Sequence, residues 1–342
     1  MRFARYELAG AEHHALVVGA PGEERLHDLR PGTTVLDVAG AGLPAAVEAA
    51  SWARASSALV PIADVRLLPP LQPPSVRDFV AFEEHVEGVV RSVSDDGAVP
   101  AAWYDAPTFY FTNPHSMVGA HDDVPVPPGS TQLDFELEVA VVVSHAGTNL
   151  SPRAARDHIF GYTVFNDWSA RDLQGREMQV NLGPAKGKDS ASTLGPWIVT
   201  ADELEDYRDA DGYLALGLDA TIGGRAVGRD LLSNAAWTFD EMIAYASRGT
   251  WVMPGDVLAS GTCGNGGCLA ELWGRTGVQD PPPLVPGDVV RLAVEGIGAV
   301  ENRIVPGPSL SDLPFIPPAR SRDRRRDRAS GSATPHAPQE VR

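Results

Sequence analysis

Apolar and polar positions alternate along residues 134–143, Asp-Phe-Glu-Leu-Glu-Val-Ala-Val-Val-Val, and the run is rich in β-branched side chains. That pattern predicts a β-strand. Side chains two apart on a strand share a face, so Glu136 and Glu138 point the same way, with Ala140 and Val142 behind them. Residues 2–8 and 15–18 predict short strands, and residues 43–56 a helix with Pro44 in its first turn. The Pro-rich run 68–74 forces extended backbone and predicts a linker. From about residue 81, Phe82, Val86, Val89 and Val90 recur at the spacing of an amphipathic helix, with His85 near its start and Asp78 in the loop before it. Ser151, Pro152 and Gly161 mark the cap, first turn and stop of another helix, and residues 162–165 a short strand. A helical turn beginning near Asp167 would set Asp167, Arg171 and Gln174 on one side. Further along, residues 213–222 and the chain from Arg225 predict a hairpin across Gly223-Gly224. Thr238 and Glu241 have capping-box spacing and open a helix ending near Gly249. Two Pro-Gly-Asp turns, at 254–256 and 286–288, each lead into an apolar strand.

Composition sharpens this into a β-rich α+β chain: 342 residues, 43% hydrophobic, with 34 Gly and 29 Pro as turn formers. Three parts are expected: a small N-terminal domain over 1–70, a main domain over 71–318 and a tail over 319–342. The tail holds seven Arg against three acidic residues and too few apolar ones to build a core, so disorder is expected there. The net charge of −17 argues against nucleic acid or an anionic membrane as partner. No apolar run approaches a membrane span and no signal-peptide region opens the chain, so a cytoplasmic protein is expected. Cys263 and Cys268 are too few for a structural zinc site and are expected as reduced loop thiols.

The candidate chemistry begins with the two carboxylates of the acidic strand. Buried together they repel and lose hydration, and a hard divalent cation with oxygen ligands would compensate. An edge strand with its acidic face in water is the alternative. Glu271 sits in an apolar run, so it needs a partner or a raised pKa unless it too faces water from an edge strand. The Gly-rich loop 260–268 lacks the Lys and Ser/Thr of a phosphate loop, which argues against a nucleotide site.

Between about Leu67 and Val305 the segments together resemble the fumarylacetoacetate hydrolase family. The resemblance runs through Asp78 and His85 with six residues between them, Phe135-Glu136-Leu137-Glu138 and Asn166-Asp167-Trp168-Ser169-Ala170-Arg171-Asp172-x-Gln174. It continues through Lys188 ahead of Gly195-Pro196-Trp197, then Gly261-Thr262 and Gly296-Ile297-Gly298. It implies a mixed β-roll with a small N-terminal domain, usually as a homodimer, acting on a small keto acid. It implies Mg²⁺ or Ca²⁺, with Mn²⁺ as a third candidate, held by Glu136, Glu138 and Asp167 with Asp78 as a fourth ligand. His85 would be the general base that activates water, and Glu271 would orient it. Arg171, Gln174 and Lys188 would hold substrate oxygens and stabilise the carbanion side, with Tyr110 and Thr262 completing the substrate set. Val80 stands where the family's fumarylacetoacetases carry an aromatic substrate-binding residue. The implied reaction is hydrolysis of a carbon–carbon bond in a 1,3-diketo acid of fumarylacetoacetate or acylpyruvate type, in aromatic catabolism. Decarboxylation or tautomerisation of a β-keto acid, or hydration of a dienol acid, are alternatives on the same pocket. A catalytically silent binding homologue is the non-enzyme alternative, and it predicts the loss of a ligand carboxylate or of His85.

Overall fold

The computed structural model describes residues 1–56, 58–93 and 98–319. The Arg-rich tail therefore lies outside the described residues, apart from Ala319. The architecture is a sheet-rich α+β fold built on a twelve-stranded mixed sheet and a five-stranded one. At the centre of the larger sheet is Leu137–Val143, paired antiparallel on one side with Ile159–Asp167 and on the other with Val257–Ala259. Ile159–Asp167 passes the sheet on to Ser192–Thr200. Val257–Ala259 pairs in parallel with Val76–Phe79, and that strand pairs with Phe109–Thr112.

The central strand is buried on both faces. Leu137, Val139, Val141 and Val143 enter one core with Phe135, Tyr162 and Trp168, while Ala140 and Val142 enter a second core beneath the helix Val35–Ser56. Burial of each large apolar side chain stabilises by about 1.5–3 kcal/mol. Glu138 is thus carried into a dry interior by neighbours that cannot leave it. Glu136 falls just before the strand rather than within it, after a separate two-residue strand Leu133–Asp134.

Several local expectations hold. The hairpin Gly217–Ile222 to Arg225–Leu231 turns on Gly223-Gly224, and the Thr238–Glu241 capping box opens Phe239–Ala246. Both Pro-Gly-Asp turns precede strands, Val257–Ala259 and Val289–Val294. The N-terminal helix starts earlier than expected and is kinked at Gly42 (φ 80°), two residues before Pro44.

Other expectations are corrected. Asp78 lies in the strand Val76–Phe79, not in a loop. The helix capped by Ser151 is a single short turn, Pro152–Arg156, and Gly161 belongs to the next strand. There a Cβ would sit 2.2 Å from the Val199 carbonyl, so glycine at 161 serves close strand approach rather than a helix stop. Asp167 ends that strand, and the helix begins only at Arg171 (Arg171–Met178), so these two residues do not share a helix face. Glu271 lies on a helix, Leu269–Thr276, not on a strand.

Strands of residues 1–70 continue the main sheet, since Arg2 pairs with Val199 and Phe3 with Ile198. Met1–Gly307 accordingly forms one compact unit, with no break near residue 70. Among the described residues no helix is long and apolar enough to cross a membrane.

Candidate active site

Strand register brings the acidic residues together. Asp78 is opposite Tyr110 on one side and Ala259 on the other, and Ala259 is opposite Ala140, two residues along from Glu138. Asp167 ends the strand that flanks Glu138 on the far side. Carboxylate oxygens of Asp78, Glu136 and Asp167 consequently lie within 4.8 Å of one another, all buried. Glu138 stands one step back. Its carboxyl accepts from the Gly261 amide (3.1 Å) and the Thr262 hydroxyl (3.3 Å). Thr262 therefore reaches the site through Glu138.

Cations and donors converge on this cluster. The buried Lys188 ammonium pairs with Glu136 at 2.5 Å and Asp167 at 2.8 Å. The Tyr110 hydroxyl donates to Asp78 at 2.8 Å and also contacts Asp167. Arg171 bonds Glu136 at 2.8 Å and Asp134 at 2.7 Å, and donates to the Gln174 side chain at 3.2 Å. Burial opposes charge on Glu136, but Lys188 and then Arg171 outweigh it and pull its carboxyl down to about 2. Burial raises Asp78, Glu138 and Asp167; at Asp78 and Glu138 neighbouring carboxylates add to it, and at Asp167 the push of Glu136 is set against the pull of Lys188. One Asp78 oxygen, Oδ1, is buried without a hydrogen-bond partner. Crowded carboxylates with an orphaned oxygen, and no nitrogen or sulfur in the set, suit a hard divalent cation such as Mg²⁺ or Ca²⁺.

The second half of the site is helical. His85 is on Glu83–Val93, and its Nδ1 lies 3.6 Å from the thiol sulfur of Cys268. Burial pulls the imidazole down to about 4, so it is neutral at pH 7 and able to accept a proton. Glu271 accepts from the Asn265 amide at 2.8 Å and the Gly266 amide at 3.3 Å, and pairs with Arg275 at 2.7 Å. Burial nevertheless pushes its carboxyl up to about 7. The hydrogen bonds of His85 and Glu271 thus run to different partners and not to each other. The two helices still touch closely. A Cβ on Gly88, one turn after His85, would sit 2.4 Å from the Glu271 Cγ.

Asp134 escaped the sequence reading. It is fully buried, accepts from the Leu269 (2.8 Å) and Ala270 (3.0 Å) amides at the start of the Glu271 helix, and neutralises Arg171. The signal was present, because Asp134, Glu136 and Glu138 are one period-two series. The sequence pattern predicts Cys268 as a loop thiol. It is buried at the N-cap of that same helix.

Comparison with known proteins bears on this geometry. The profile of the fumarylacetoacetate hydrolase C-terminal domain matches residues 75–305. The chain belongs to the fumarylacetoacetate hydrolase family. Within the family it is 33% identical over 192 residues to a mitochondrial oxaloacetate tautomerase of Xenopus laevis, covering 56% of this chain and 55% of that one. The chain thus spans about half the length of that relative. A fumarylacetoacetate hydrolase of Exiguobacterium antarcticum has the same fold, with a TM-score of 0.68 at 25% identity over 90% of this chain and 100% of the other. So does a maleylpyruvate hydrolase of Sphingobium sp. SYK-6, solved with manganese(II) and pyruvate, with a TM-score of 0.65 at 21% identity over 90% and 100% of the two chains.

Proposed function

We propose that the protein is a divalent-metal-dependent hydrolase that cleaves a carbon–carbon bond of a 1,3-diketo acid. The observation that carries this reading is the position of a neutral, buried His85 beside Glu136, at the edge of the carboxylate cluster. Asp78, Glu136 and Asp167 would hold the cation, with the buried Glu138 behind them. A cation of that class supplies Lewis-acid polarisation of adjacent substrate oxygens. The maleylpyruvate hydrolase bound to manganese(II) and pyruvate supports a keto acid as the substrate class.

In this reading His85 takes a proton from water, and the hydroxide adds to the substrate carbonyl. We assign Glu271 to orienting His85 through a bridging water. The carbon–carbon bond then breaks, its electron pair remains as an enolate, and reprotonation gives a methyl ketone acid. Lys188 and Arg171 hold the developing negative charge. Arg171 and Gln174 also line a cavity of about 330 Å³ whose other walls include Met178, Ala270, Trp273 and Val278. We place the substrate's acyl tail there.

The tautomerase relative favours a second reading, in which His85 moves a proton on a β-keto acid and no water is added. A screen of acylpyruvates, fumarylacetoacetate analogues and oxaloacetate with Mg²⁺ separates the two. Loss of diketone absorbance with two product acids supports hydrolysis. Enol–keto interconversion of oxaloacetate without cleavage of any diketo acid would replace it with tautomerisation.

A further inference from the structure

His85, Cys268 and Glu136 form a second group of potential ligands, with one donor atom from each within 4.8 Å of the others and all three residues buried. This set offers nitrogen, sulfur and oxygen, unlike the oxygen-only set at Asp78, Glu136 and Asp167. Thiolate and imidazole select softer ions than Mg²⁺ or Ca²⁺. Spacing points the same way. In tetrahedral zinc coordination, with bonds of ~2.0–2.1 Å to nitrogen and ~2.3 Å to sulfur, the nitrogen–sulfur edge is about 3.6 Å. The Nδ1 of His85 and the sulfur of Cys268 are 3.6 Å apart. Two cations stand beside the set, Lys188 at 2.5 Å and Arg171 at 2.8 Å from Glu136, and each has a second carboxylate partner, Asp167 at 2.8 Å and Asp134 at 2.7 Å.

We propose that His85, Cys268 and Glu136 bind Zn²⁺ or another thiolate-seeking ion, and that this ion switches the site off by occupying His85. Binding replaces the thiol proton of Cys268, which is released to solvent, and leaves a fourth position for water. It is not a structural site of four protein ligands, so two cysteines suffice for it. The ion-binding half of the proposal is independent of the reaction assigned above, and only the inhibition rests on it.

Co²⁺ is the probe, added to full-length protein held in saturating Mg²⁺. One equivalent should give a near-ultraviolet thiolate-to-cobalt charge-transfer band, which an oxygen-only site cannot produce. The band should survive Cys263→Ser, at the other buried thiol, and vanish in Cys268→Ser. Serine is a favoured N-cap residue, so the second variant should keep its helix and its circular dichroism spectrum. Zn²⁺ should displace the band and inhibit turnover. Cys268→Ser should weaken Zn²⁺ binding by at least ~100-fold, beyond the ~10–100-fold typical of losing a mere supporting partner of a ligand. A wild-type protein with no band, or a band that persists in Cys268→Ser, overturns the site. A normal band with turnover unaffected by bound Zn²⁺ overturns the switch alone. Because the band is read without substrate, the ion-binding result does not depend on the hydrolytic reading; only the turnover result does.

Discussion

The carboxylates of the site ride on or beside strands, whereas His85, Cys268 and Glu271 ride on two short helices that pack against each other. The strand half is dense in charge. Lys188 and Arg171 both contact Glu136, whose carboxyl they hold down at about 2. In the helix half burial works against charge, although Glu271 keeps the Arg275 guanidinium at 2.7 Å. Burial holds the imidazole of His85 down at about 4 and lifts the carboxyl of Glu271 to about 7. Strand pairing on both sides fixes backbone position, which suits groups that must sit at a fixed separation around a cation. Helices packed through a glycine contact bury their groups and so disfavour the charged forms, which suits proton transfer. Under the proposed function, cation binding and proton transfer fall to separate parts of the fold, joined at Asp134 and Glu136.

The comparison breaks most severely at Glu136, the residue both halves share. Glu136→Gln should take turnover below detection and abolish Mg²⁺ binding measured by calorimetry. It should also cost about 1–3 kcal/mol of unfolding free energy, because Lys188 and Arg171 each lose one of two buried carboxylate partners and keep the other, Asp167 and Asp134. Near-native Mg²⁺ affinity in this variant would show that the carboxylates are not a cation site. His85→Ala should lower kcat by roughly 10²–10⁴-fold with Mg²⁺ affinity and KM little changed, since the ligand carboxylates are untouched. If Mg²⁺ affinity falls with kcat, the two halves are not separable.

How much of this was legible in the sequence follows the same division. Glu136 and Glu138 announced themselves because strand alternation is local, and so did the Gly223-Gly224 hairpin and the Thr238 capping box. The family motifs supplied the residues that no local pattern relates, such as Lys188, which reaches Glu136 from 52 positions away. What stayed hidden depends on contacts between distant segments. Gly161 looks like a helix stop until Val199 is placed beside it. The run around Glu271 is too short for its period to separate helix from strand, and the Asp134 side chain that caps its first amides comes from 135 residues upstream. The role of Cys268 depends on His85, 183 residues away.

A smaller effect tests how strongly burial disfavours charge on Glu271. Its carboxyl is raised from 4.5 when unfolded to about 7 when folded. A raised acid adds stability that is complete below the unfolded value and is lost as pH climbs through the folded one. Wild-type protein should therefore lose on the order of 3 kcal/mol relative to Glu271→Gln between about pH 4.5 and 7. Parallel urea-unfolding curves at several pH values across that window measure the difference. A pH-independent difference would show that Arg275 and the two loop amides keep the carboxylate ionised in spite of its burial.

The finest test compares two helical glycines. Replacing glycine by alanine inside a helix usually gains up to about 1 kcal/mol. Gly175, on Arg171–Met178, has open space where its Cβ would lie, so Gly175→Ala should show that gain. Gly88 faces the Glu271 helix, and its Cβ would meet Glu271 at 2.4 Å from Cγ and 3.1 Å from both Cα and the carbonyl oxygen. Two of those three atoms are backbone, so turning the Glu271 side chain does not remove the conflict. Overpacking of this kind costs about 1–3 kcal/mol, which exceeds the helical gain, and Gly88→Ala should lower the unfolding free energy by about 1–2 kcal/mol. The same displacement moves Glu271 relative to His85, so kcat should fall while Mg²⁺ affinity holds. Unfolding free energies from urea titration give the two signs directly. Equal gains in both variants would mean that the two helices sit further apart than the Gly88 contact requires, and the close packing assigned to the helix half would fail.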